Sequence, residues 1–277
     1  MPAWNAADFI ELTLDSLAAQ TYEDLRVLIS VDLSDDRTAE VCDHYATRHR
    51  GFEVTRQTSR LGWVGNVNEL LRRVDAPYAM FAFHDDVLDP RFVARLARRL
   101  DENPNAVLAF SDMQTTYQDG HNEVSRYDEL EGLTDPAERA SRIIQRRGDW
   151  WTPHRGIFRA SVGKRIGGLR PHRAGEFSAD WPWLLHLSLH GEFIREPEVL
   201  CFKYYRDGSL SRSWGFTTAQ RGAVALSCLH EVVRAQVPIR RRLAVLREIL
   251  VPCLTLIRPW VLPAPRWLKA ARSRFRR

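Results

Sequence analysis

The chain has 277 residues, 44% hydrophobic and 27% charged, the balance of an ordinary soluble globular protein with enough length for one large domain or two small ones. Its net charge of +5 is uneven: from Arg234 onward twelve basic residues face one acid, Glu248, so that segment carries +11 and the body before it −6. The four cysteines, Cys42, Cys201, Cys228 and Cys253, are too scattered for a zinc knuckle or a disulfide framework and fit a reducing cytosol. No basic leader with an apolar core opens the chain, and the longest apolar tract, Ile249 to Leu262, is too short and too broken by Pro252, Arg258 and Pro259 to span a bilayer.

In chain order, Leu25 to Val31 is an apolar, β-branched run of strand length, and a helix follows through Ala39, Val41, Cys42 and Tyr45. Phe52 to Arg56 reads as a short strand. Gly62 to Val74 reads as a helix carrying Val64, Val67, Leu70 and Leu71 at helical spacing. Tyr78 to Phe83 is the next strand, Arg91 to Leu100 the next helix, and Val107 to Ser111 a further strand. This alternation predicts βαβ units and a mostly parallel sheet over the first 112 residues. Beyond Asp112 the rhythm changes to a polar stretch, a helix near Pro136 to Arg146, a tryptophan-rich segment, a helix from Ala179 to Leu189 and a strand from Val199 to Tyr205.

Three acidic positions stand where chemistry is expected. Asp32 ends the first strand, and the apolar run Tyr78 to Phe83 leads directly into His84-Asp85-Asp86. Ligands of open α/β sheets bind outside the carboxyl ends of the strands, where adjacent acids can hold a divalent cation against a phosphorylated ligand. Asp180, the third site, opens the helix from Ala179 to Leu189 among Trp150, Trp151, Trp181 and Trp183, where partial desolvation suits a general base and aromatic faces suit sugar rings. Each position also has a plainer reading. Asp32, Ser34 and Asp36 can cap the following helix, Asp85 and Asp86 can start the next one with Asp89 and Pro90, Asp180 can be an N-cap, and the tryptophans can be core.

The order of the parts is more specific than any one of them. Pro2-Ala3-Trp4-Asn5, Leu14-Asp15-Ser16-Leu17-Ala18-Ala19-Gln20-Thr21-Tyr22, Ile29 to Asp32 with Ser34 to Thr38, Leu61 to Asn66, His84-Asp85-Asp86, and Asp180 to Leu187 with Gly191, Phe193, Pro197 and Tyr205 together resemble the family 2 glycosyltransferases. These are inverting enzymes with a GT-A fold that use nucleotide-diphosphate sugars.

The resemblance implies an α/β fold with a Rossmann-like nucleotide-binding half and a mixed, mostly parallel sheet. The glycosyltransferase domain would span 1–212, with a donor half at 1–112 and an acceptor half at 113–212, followed by a helical basic extension over 213–277. Residue by residue, it places Pro2, Trp4 and Asp32 around the nucleotide base, Asp85 toward the ribose and diphosphate, and Arg206 near the diphosphate. It puts Asp86 on a divalent cation, Mn²⁺ or Mg²⁺, and makes Asp180 the catalytic base. His84 replaces the first acid of the metal motif and would tilt the choice toward Mn²⁺. An apolar strand ahead of Pro2 also belongs to the pattern, and without it the neighbouring strands would keep an open edge.

The basic tail, with Trp260 and Trp267, suits an anionic membrane surface; nucleic acid is the competing partner, though none is expected, and a helical extension with a solvated basic face is the plainer reading. The expectation is an inverting glycosyltransferase at the cytoplasmic face, taking a nucleotide-sugar donor and a glycan or lipid-linked acceptor for cell-surface polysaccharide or glycoconjugate synthesis. The alternative is a GT-A module that binds nucleotide sugar or glycan without turnover.

Overall fold

The computed structural model describes residues 1–145, 151–205 and 214–257. Its first part comprises β1 (Pro2–Ala3), α1 (Ile10–Ala18), β2 (Val27–Val31), α2 (Thr38–Arg48), β3 (Phe52–Arg56), α3 (Gly62–Arg73), β4 (Tyr78–Met80), β5 (Asp86–Leu88) and α4 (Phe92–Glu102). Then follow β6 (Ala106–Thr116), β7 (Asn122–Ser125), α5 (Pro136–Ile144), β8 (Ile157–Arg159), α6 (Ala160–Ile166), α7 (Asp180–Ser188), β9 (Glu192–Tyr204), α8 (Thr218–Arg234) and α9 (Ile239–Ile257).

β1, β2 and β3 form a parallel sheet in that order. β2 is almost wholly buried, as its unbroken apolar run requires of a strand covered on both faces. Helix α1 buries Ile10, Leu14 and Leu17 at one-turn spacing, and α3 buries Val64, Val67, Leu70 and Leu71.

The second sheet corrects the expectation of mostly parallel strands. Its order is β4-β8-β6-β9-β5 with β7 on β6, and only β6 and β9 run parallel. Strand β9 is thirteen residues long and accommodates Pro197 at a register shift, where Ser111 faces Glu196 but Asp112 faces Val199. The apolar run from Tyr78 leaves the ladder after Met80. Asp86 opens β5, which pairs antiparallel with β9, so the two acids do not begin a helix. Asp89 instead prepares α4, its Oδ1 accepting the Arg91 amide at 2.9 Å.

Between β2 and β4 lies an apolar cavity of about 350 Å³ lined by Val27, Leu28, Val67, Leu71, Tyr78 and Met80 among others. The edges of β2 and β4 that face it have no strand partner there among the described residues. The Met1 nitrogen is buried at this cavity and donates to Leu28 O at 2.6 Å, while Ser30 N donates to Met1 O at 3.0 Å. The β1 ladder thus runs back to the first residue, and burial pushes the Met1 amine down to about 5.

Helices α8 and α9 pack into the core. Val224, Cys228 and Val232 of α8 and Val245 and Ile249 of α9 share one core with Leu184 and Leu187 of α7. Buried Glu231 of α8 holds His186 of α7 at 2.6 Å and also pairs with Arg234.

Candidate active site

Asp32 at the end of β2 is buried, and its oxygens accept three backbone amides while Oδ2 also faces Arg60 Nε at 3.7 Å. Oδ1 accepts from Leu33 N and Leu61 N at 3.0 Å each, and Oδ2 from Gly62 N at 2.9 Å. It therefore anchors the turn into α3 rather than capping α2, a task that falls to Asp36 through the Thr38 amide at 3.0 Å. Gly62 takes a left-handed φ of +70°, and an added Cβ would strike the Glu176 carboxylate. Glu176 occupies that space because it accepts from Trp63 N and Val64 N at 3.3 and 3.0 Å, binding the loop before α7 to the start of α3. Nearby, Pro2 is buried while Trp4 is exposed, and the Arg60 guanidinium lies 3.9 Å over the Trp4 ring. Trp4 and Arg60 thus present a flat aromatic and cationic surface beside the end of β2.

The acid pair is assembled by strand register. Asp86 of β5 lies opposite Lys203 of β9, and Thr13 of α1 fixes the Asp86 carbonyl at 2.8 Å. Asp86 is buried, with Oδ2 2.8 Å from Arg155 Nε and Oδ1 3.5 Å from Lys203 Nζ. The same ammonium reaches Asp85 Oδ2 at 2.9 Å, and Asp85 is the more exposed acid of the two. Burial drives the Asp85 carboxyl upward, but Lys203, then His84 and Arg155, outweigh it and hold it below its ordinary value. Burial opposes the charges of Arg155 and Lys203 as well, yet Asp86 keeps both above their ordinary values. His84 has Nδ1 3.1 Å from the Pro2 carbonyl and its ring near Phe9.

Asp180 is the first residue of α7, not its cap. Its carboxylate faces Nδ1 of His154 at 3.4 Å. His154 is fully enclosed by Trp63, Phe81, Phe83 and Trp183, and burial pushes its imidazole down to about 4 despite the attraction of Asp180. It is therefore neutral at pH 7. Arg155, the next residue, packs its guanidinium over Phe83 and Trp151 while holding Asp86. One 3₁₀ turn, Thr152–Arg155, thus ties the candidate base to the strand-end acids through two consecutive side chains.

The tryptophans divide differently from expectation. Trp181 and Trp183 are buried core, Trp181 donating from Nε1 to Ile143 O at 3.1 Å and Trp183 packing on Phe81 and Phe158, so neither lines a sugar cleft. Trp151 is half-buried beside Arg155. Trp150 and Arg206 lie outside the described residues, as does the tail from 258 onward.

The donor set does not fit a preformed divalent-cation site. The charges of Asp85 and Asp86 are matched by those of Lys203 and Arg155, and three of their four oxygens already face these cations. Among the described residues no group of three His, Cys, Asp or Glu converges.

The residues that sequence reasoning passed over are His154, Arg155, Lys203, Glu176 and Arg60. A signal existed for Lys203, a lone cation in the otherwise apolar run Val199 to Tyr205. His154 and Arg155 follow the tryptophan pair without any motif of their own.

Comparison with known proteins agrees with this architecture. The chain is 17% identical to the crystallised S. aureus TarS 1–349 in complex with UDP-GlcNAc, with a TM-score of 0.72 over 93% of this chain and 72% of that one. Against the mannosyltransferase PcManGT of Pyrobaculum calidifontis, in complex with GDP-Man and Mn²⁺, the identity is 15% and the TM-score 0.56 over 98% of this chain and 78% of that one. Among curated proteins, an uncharacterized glycosyltransferase of Bacillus subtilis, EpsJ, is 28% identical over 103 residues, 37% of this chain and 30% of that protein. An uncharacterized protein of Mycobacterium tuberculosis is 29% identical over 122 residues, 43% of this chain and 35% of that protein. The chain thus spans about a third of the length of these curated relatives. The model of glycosyl transferase family 2 matches residues 1–162, more than half of the chain, and the fold is of the GT-A type. The protein belongs to glycosyltransferase family 2.

Proposed function

We propose that the protein transfers a sugar from a nucleotide-diphosphate sugar to an acceptor hydroxyl with inversion, and that Asp180 is the general base. The observation that carries this reading is the His154-Arg155 pair, which joins Asp180 to the acids at the end of the sheet in one site. Trp4 and Arg60 would receive the base, with Pro2 beneath them and Asp32 shaping the turn rather than touching the nucleotide. Asp85, the acid open to the cleft, would face the ribose and diphosphate.

In the reaction, the Asp180 carboxylate takes the proton of the acceptor hydroxyl as the acceptor oxygen forms a bond to the anomeric carbon. The bond from that carbon to the diphosphate oxygen breaks, and the electron pair leaves with the diphosphate. One displacement without an enzyme nucleophile inverts the configuration. Neutral His154 fixes the Asp180 carboxylate without taking its proton.

The acceptor is a glycan or lipid-linked hydroxyl presented at an anionic membrane. This is supported by α9, where Ile239, Leu243, Leu250 and Leu254 are exposed along one face with exposed Arg240 and Arg247 nearby. No helix among the described residues is long and apolar enough to cross a membrane.

The test is a panel of nucleotide sugars, read by calorimetric binding and by release of nucleoside diphosphate. One donor should bind and be turned over. Binding without release, with any acceptor fraction, would support the non-catalytic module instead, and no binding to any donor would refute both readings.

A further inference from the structure

The two acids at the end of the sheet carry their own counter-charge. Two carboxylates with two fixed protein cations have the same net charge as two carboxylates with one divalent ion, so the positive charge that a diphosphate needs nearby is already built in. Lys203 cannot leave this position by a loop movement. It sits in β9 opposite Asp86 of β5 on one side and Thr115 of β6 on the other. A divalent ion on Asp85 or Asp86 would have to expel that ammonium from Asp85 Oδ2, 2.9 Å away, or share the site against like charge.

Both cations also keep donors in reserve. The ammonium has three N–H groups, of which the two carboxylates take two, and the guanidinium has five, of which Asp86 takes one. The Lys203 and Arg155 side chains are each 15% exposed, enough to face a ligand in the cleft while their stems stay buried. Resting on the proposed nucleotide-sugar reading, we propose that Lys203 and Arg155 bind the donor diphosphate directly and take the place of the divalent cation, so that nucleoside diphosphate binds without metal.

The experiment is isothermal titration of UDP and GDP, with uridine and guanosine as controls, each in EDTA and in MnCl₂. Wild-type protein should bind one diphosphate with affinity that Mn²⁺ changes by less than about threefold. Lys203→Met should weaken that diphosphate by about tenfold or more, the worth of one charge-assisted hydrogen bond, and leave its nucleoside unchanged. Lys203→Arg, which keeps the charge, should restore most of the loss and guards against misfolding of the methionine variant. Binding that requires Mn²⁺ in wild type, or that Lys203→Met strengthens in Mn²⁺, would overturn the inference while leaving the transferase reading intact. Failure of both diphosphates to bind in either condition would overturn the two together.

Discussion

His154→Leu isolates a buried titration. The imidazole is enclosed by four aromatic rings and held down to about 4, against 6.5 in the unfolded chain, so the native state stays unprotonated at pH values where the unfolded state takes up a proton. Stability from this group is therefore fully present above about pH 6.5 and is lost as pH falls toward 4. The linkage integral from pH 7.5 to 5 is about 2 kcal/mol, and the full shift is worth about 3 kcal/mol. Leucine has nearly the volume of histidine and removes a buried Nε2 that has no hydrogen-bond partner among the described residues, so the variant should match wild type within about 1 kcal/mol at pH 7.5. Urea unfolding of both proteins at the two pH values is the assay. Wild type should lose about 2 kcal/mol more than His154→Leu on acidification, other groups such as the Met1 amine contributing equally to both. Equal losses would refute the neutral, enclosed imidazole and with it the fixed Asp180–His154 pair.

Asp86→Ala should lower stability by about 3–5 kcal/mol, because it strands the partly buried Arg155 guanidinium and leaves Lys203 with Asp85 alone, and a thermal melt unchanged from wild type would contradict that. Glu176→Ala should cost about 1–3 kcal/mol in denaturant unfolding by freeing two amides at the start of α3, and it should loosen donor binding because the same turn carries Arg60. Leu243→Glu with Leu250→Glu should abolish cosedimentation with phosphatidylserine vesicles and leave the melting temperature within a few degrees of wild type. Unaltered sedimentation would remove the membrane from the account.

Where a local pattern decides the structure, the sequence was legible. Val64, Val67, Leu70 and Leu71 are buried on α3 at the spacing that marks them, and Asp180 stands at the start of its helix as Pro182 in the first turn indicates. The run from Tyr78 to Phe83 misleads because apolar continuity cannot distinguish a ladder from a buried connection. Phe81 and Phe83 are covered by His154 and its neighbours, not by a paired strand. The parallel-sheet expectation holds for β1 to β3 and not for the second sheet, because alternation of strand and helix says nothing of β8 returning between β4 and β6. Adjacent acids at a strand end looked like a metal site because their counter-ions lie 69 and 118 residues further along the chain, joined only by register and a 3₁₀ turn. The tryptophans beside Asp180 point into the core because α7 is buried on nearly all sides, a property its short, mostly apolar sequence leaves open.

The most direct measurement is the rate of nucleoside diphosphate release from the cognate nucleotide sugar by wild type and Asp180→Asn, with donor affinity determined on the same preparations. The account predicts that asparagine lowers the rate by about a thousandfold or more while donor affinity stays within a few-fold, since the amide keeps the shape beside His154 but cannot accept the proton. A variant that releases diphosphate at the wild-type rate in the presence of acceptor would contradict the assignment of Asp180 as the base.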